Sequence, residues 1–174
     1  VRDANGNPVT NATIFARDEH GQILHRFSGV ATDARGHFAY RGLGPGRYIL
    51  CARSKTLASP ESAPVSVHEG GAAEVELAAG PGTTLLVSVE DKDGATLHAN
   101  FNVRDEHGHD VTEMYDMGNV EGILTEGLSS TQSRIGPLPP GEYKVTATAF
   151  DGRSASKPVH LRGQDERGIK LRIE

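Results

Sequence analysis

Few residues in this chain have the type and spacing that chemistry needs. The one cysteine, Cys51, stands in the apolar run Tyr48-Ile49-Leu50-Cys51-Ala52 with no histidine beside it. A thiol so placed is expected to be inert, and one cysteine excludes both an internal disulfide and a four-cysteine zinc site. Ser129, Ser130 and Ser133 lie in a polar stretch without a G-x-S-x-G elbow, so no catalytic nucleophile is expected. Six histidines, at 20, 25, 37, 68, 98 and 160, are scattered and read as surface residues. The exception is H-G-H-D at His107 to Asp110. On a strand, H-x-H puts both imidazoles on one face about 7 Å apart, which suits a divalent metal with Asp110 or Glu113 completing the set. An oxygen-rich loop of this kind could instead take Ca²⁺, although EF-hand spacing is lacking. Against both stands a repetition. Arg17-Asp18-Glu19-His20-Gly21 returns as Arg104-Asp105-Glu106-His107-Gly108, which makes Gly108 a hairpin turn and leaves His107 and His109 splayed in solvent. No metal, cofactor or catalytic residue is therefore expected.

That repetition organises the chain. R-G-L-G-P-G-R-Y at 41–48 returns as I-G-P-L-P-P-G-E-Y at 135–143, aligning Tyr48 with Tyr143, and A-P-V-S-V returns as K-P-V-H-L. The offset is 87 at the D-E-H-G blocks and 95 at the tyrosines, so the second copy carries eight extra residues between them. The expected domains are 1–79 and 83–174, with an acidic insertion at about 105–133 and Gly80-Pro81-Gly82 breaking the chain between them. From Asp105 to Ser133 there are seven acidic residues and no Lys or Arg. Self-repulsion there predicts an extended or mobile surface loop.

Within each copy the apolar period is two. Tyr143, Val145 and Ala147 alternate with Lys144, Thr146 and Thr148; Ala12, Ile14 and Ala16 alternate with Thr13, Phe15 and Arg17. Val65 and Val67, then Val75 and Leu77, alternate on either side of the turn at 69–73. Glycine-bearing turns separate these runs, as in sandwiches. Gly6, Gly36 and Gly94 sit where a tight turn needs positive φ. Tyr48 and Tyr143 fit a corner in which the ring is buried and the hydroxyl reaches a backbone partner. The fold expected is all-β, two tandem antiparallel β-sandwiches of about seven strands each. A net charge of −5 argues against nucleic acid, and no window approaches the ~18 apolar residues of a spanning helix.

Residues Asp3 to Ile14, Thr32-Asp33-Ala34-Arg35-Gly36-His37-Phe38 and Leu43 to Tyr48 together resemble the carboxypeptidase regulatory-like domain. The resemblance covers nearly all of 1–79 and extends more weakly to the second copy. It implies a transthyretin-like (prealbumin-like), Ig-like sandwich, related in shape to collagen-adhesin B-type repeats. Those repeats can carry a Lys–Asn or Lys–Asp isopeptide bond, but the first strand here reads Val1-Arg2-Asp3, and arginine is no substitute for the lysine nucleophile. The transthyretin shape also hosts hydroxyisourate hydrolase, whose Y-R-G-S ending is replaced here by K-L-R-I-E.

The resemblance implies a non-enzymatic module of a larger bacterial multidomain protein, extracytoplasmic (periplasmic, cell-surface or secreted). Its task would be that of a spacer or protein-interaction platform whose partners are other domains of the parent polypeptide. A binding module for carbohydrate or a cationic protein is the alternative, weakened by the absence of Trp. Phe15, Ile49 and Cys51 are apolar on a face that should meet water, whereas Lys144 and Thr146 hold the places matching Ile49 and Cys51. This marks an interdomain interface, with the second copy expected to cover it.

Overall fold

The computed structural model describes residues 1–24, 30–112, 132–163 and 166–174. The chain divides into two compact units, Val1–Pro81 and Gly82–Glu174. Among the described residues the regular structure is almost wholly strand, β1 (Arg2–Asp3), β2 (Thr13–Asp18), β3 (Ile23–Leu24), β4 (Val30–Ala31), β5 (Gly46–Arg53), β6 (Leu57–Ala58), β7 (Val65–Val67) and β8 (Ala78–Pro81) in the first unit. The second unit has β9 (Thr83–Glu90), β10 (Ala99–Asp105), β11 (Gln132–Leu138), β12 (Gly141–Ala149), β13 (Ser154–Leu161) and β14 (Glu166–Arg172).

In the first unit the strands run β1-β8-β6-β5-β2-β3, with β4 on β2 and β7 on β5. Ile14 and Ala16 of β2, Tyr48, Leu50 and Ala52 of β5, and Ala79 of β8 meet in one core with Val1, Val9, Ala12 and Leu77. In the second unit two three-stranded sheets, β10-β12-β13 and β11-β9-β14, supply the core. Leu85, Val87, Val103, Ile135, Leu138 and Val145 there are fully buried. Each such side chain contributes up to ~1.5–3 kcal/mol.

The pairings of the two units correspond. β5 pairs antiparallel with β2 and β7, and β12 with β10 and β13. Tyr48 lies opposite Asp18, and Tyr143 opposite Asp105. The first and last strands of each unit run parallel: β1 beside β8, and β9 beside β14. The sandwiches are therefore mixed, not purely antiparallel, since the first and last strands of each unit run in the same direction side by side and put the unit's two chain ends at opposite ends of that pair.

One turn type recurs. Asp3, Asp18, Asp33, Asp91 and Asp105 each accept two backbone N–H bonds on Oδ1, from the residues two and four positions on. A glycine with positive φ follows each by three residues. At Gly36 close approach adds a second demand, since a Cβ would collide with the Val1 carbonyl. The tyrosine corners form as the sequence implies: Tyr48 Oη donates to Gly44 O at 2.9 Å and Tyr143 Oη to Pro139 O at 2.9 Å.

Two readings need correction. Residues 71–77 carry no strand, although Val75 and Leu77 alternate as one; Leu77 is buried and Val75 half-buried. Apolar alternation reports which side faces the core, not whether the backbone is paired. The polar positions of β2 and β5 also depart from the pattern: Arg17 and Arg53 are buried beside Phe15 and Cys51, on the face opposite the core.

Candidate functional site

The central strands of the first unit carry the residues singled out for an interface. In β2 and β5, Phe15 lies opposite Cys51 and Arg17 opposite Ile49. Phe15 and Cys51 are buried, and Ile49 is half-buried. They share their face with two arginines that sequence reading passed over. Arg53 stacks its guanidinium 5.3 Å from the centre of the Phe15 ring, a cation–π contact favoured by desolvation. Arg17, only 4% exposed, pairs with Glu61. An arginine in a period-two strand looks like a solvent marker; nothing local announces that its partner lies 44 residues on.

Burial sets the chemistry of Cys51. Desolvation pushes its thiol up to about 11, against the opposing pull of the Arg53 and Arg17 charges. A thiol so shifted holds almost no thiolate at neutral pH and is a poor nucleophile.

A cleft of about 720 Å³ opens on the core of the first unit. Its walls include Phe38, Tyr40, Leu43, Val65, Val67 and Val75, with Arg41 and Glu74 beside them. Phe38 and Tyr40 are half-buried there, outside any strand, and Tyr40 Oη donates to Leu24 O at 3.1 Å. Burial raises the Tyr40 phenol above its ordinary range. The cleft exists because residues 37–41 and 71–77 face the core without joining the ladder.

The D-E-H-G turns form as expected. Gly21 and Gly108 have φ of 78° and 80°. His109, with no counterpart in the first unit, has Nδ1 3.4 Å from Asp105 Oδ2. Asp110 is engaged elsewhere: it accepts from the Asn102 amide and from Thr112 N. Glu113, Tyr115, His25, Ser129 and Ser130 lie outside the described residues, as does most of the acidic insertion with the mobility foreseen for it. Ser133 is a buried residue of β11. Two aspartates in the turns are shifted: hydrogen bonds from the Asn7 side chain and backbone lower Asp3, and those from the His37 and Arg35 backbones lower Asp33.

In comparison with known proteins, residues 1–80 match the carboxypeptidase regulatory-like domain. No curated protein matches the chain. Among solved structures, the Bacillus anthracis TIE protein is 14% identical with a TM-score of 0.38, over 99% of this chain and 32% of that one. The minor pilin of Streptococcus agalactiae is 12% identical, TM-score 0.37, over 97% of this chain and 84% of the pilin. The shaft pilin SpaA of Lactobacillus rhamnosus GG is 8% identical, TM-score 0.35, over 97% and 89%. The chain thus spans about a third of the TIE protein's length.

Proposed function

From the match of residues 1–80 to the carboxypeptidase regulatory-like domain, we propose that the chain is a non-catalytic pair of copies of one β-sandwich module. It acts as a structural spacer or interaction platform within a larger, extracytoplasmic bacterial protein. The observation that carries this reading is the parallel pairing of first and last strands in both units. Tension applied to the two ends of such a unit runs along the paired strands. It loads their hydrogen bonds together in shear instead of opening them one at a time. That arrangement suits a spacer under load. Matched tyrosine corners and matched registers support the reading of two copies.

The test is replacement of residues 1–174 in the parent polypeptide by a flexible Gly/Ser linker. Attached domains should keep their own activities within about twofold but lose their fixed spacing. Loss of a reaction that the excised segment performs alone would overturn the proposal.

One observation favours a second reading, a binding module. Phe38 and Tyr40 in the 720 Å³ cleft offer the aromatic surface on which a sugar ring stacks. Sugar binding abolished by Tyr40→Ala would establish it.

A further inference from the structure

The open cleft of the first unit has a filled counterpart in the second. There β9 is the middle strand of its sheet, antiparallel to β11 on one side and parallel to β14 on the other. Its Leu85, Val87 and Val89 are fully buried. The turns at Asp3 and Asp91, 88 positions apart, put Val1 in the place of Val89. Backbone bonds agree: Val9 N donates to Val1 O, and Leu97 N donates to Val89 O. The tyrosine corners put residues 37–40 in the place of 132–135 of β11. The parallel pairs Arg2–Ala78 and Glu90–Arg172 put 72–76 in the place of 166–170 of β14. Residues 84–88 of β9, which hold both neighbours in the second unit, thus correspond to the five positions leading into Val1.

Burial follows this correspondence residue by residue. Ser133, Ile135, Leu138, Val159, Leu161 and Ile169 are buried in the second unit. Phe38, Tyr40, Leu43, Val65, Val67 and Val75 hold the corresponding places in the first, and each is only half-buried. All six line the cleft. Outward and inward residues alternate along 37–41 as along 132–135, and along 74–79 as along 168–173, so both segments are laid out as strands are. Yet among the described residues 38–39 and 72–76 pair with no strand. Two backbone edges beside an apolar slot suit an added strand. Its main chain pairs with the edges, and its alternate side chains fill the slot.

We infer that the cleft is the seat of an extended strand of the parent polypeptide that leads into Val1, parallel to 72–76 and antiparallel to 37–40. Its residues at the places of Leu85 and Val87 are apolar and enter the core, and those between them face outward. Val1 marks the point of entry. Its nitrogen donates to Gly36 O at 2.6 Å, a buried bond that a peptide N–H would keep without burying an ammonium charge. The inference rests on the larger polypeptide proposed above, but not on that polypeptide's task as a spacer.

Hydrogen exchange tests it on residues 1–174 and on the same chain with Thr-Leu-Leu-Val-Ser, a copy of residues 84–88, joined ahead of Val1. In the extended chain, amides within 38–39 and 72–76 should exchange about tenfold more slowly or better. The amides of β11 and β14 in the same molecule are the reference. An extension with aspartate in place of its first Leu and its Val should give no protection, because it would put charge in the core. The unlinked pentapeptide at equal micromolar concentration should give none either, since only a tether supplies a millimolar effective concentration. Unchanged exchange in the extended chain, or equal protection by the aspartate extension, would overturn the strand. Protection by the unlinked pentapeptide would overturn its source in the same polypeptide. Protection of the unextended chain that grows with its own concentration would make a second copy the occupant, and protection by N-acetylglucosamine instead of the strand would make it a sugar. No attached domain and no load enters the readout, so its failure leaves the spacer reading standing.

Discussion

At the scale of single residues, burial decides what Cys51 does. Its surroundings disfavour thiolate, so the raised pKa stabilises the fold only while the unfolded chain also keeps its thiol protonated. The sign follows from linkage. Stability is fully present below the ordinary thiol value of 9.0 and is lost as pH rises from there to about 11. The loss amounts to about 2–3 kcal/mol over that window. Urea unfolding from pH 7 to pH 11 should show it as a fall in stability steeper than that of Cys51→Ala. A Cys51→Ala variant with the same alkaline slope would show that the thiol is not desolvated. Native Cys51 should also resist maleimide at pH 7 and react once the chain is unfolded.

At the scale of elements, the tyrosine corners anchor the strands that follow them. Both hydroxyls reach a carbonyl four residues back at 2.9 Å, but the Tyr143 bond is buried and the Tyr48 bond only partly so. Tyr48→Phe should therefore cost about 0.5–1.5 kcal/mol, and Tyr143→Phe more, up to ~3 kcal/mol, because a buried carbonyl is left without its donor. Chemical denaturation of the two variants checks the order; a larger loss for Tyr48→Phe would contradict it. These corners were legible in the sequence, as were the glycine turns and the one-sided β12, because each is written in adjacent residues. What was hidden depends on distant partners. β2 and β5 are buried on both faces, and a period of two cannot distinguish a solvent face from one where Arg17 meets Glu61 and Arg53 covers Phe15. The parallel pairing of β9 with β14 joins residues some 80 positions apart and leaves no local trace.

At the scale of the whole chain, both units pair their first and last strands in parallel and differ in how firmly those ends are tied. In the first, β1 pairs with β8 only over Arg2–Asp3; in the second, β9 pairs with β14 from Thr84 to Glu90. A ladder loaded in shear resists in proportion to the bonds that must break together, and forced unfolding is governed by that barrier. The spacer account therefore makes an ordered claim about both units, which stretching one molecule from its two ends tests most directly. The account predicts two separate all-or-none steps, each releasing on the order of 250–300 Å of chain. The shorter release, from Val1–Pro81, should come at the lower force, and the longer, from Gly82–Glu174, at the higher. A single merged step, gradual extension at low force, or the reverse order of release would contradict it.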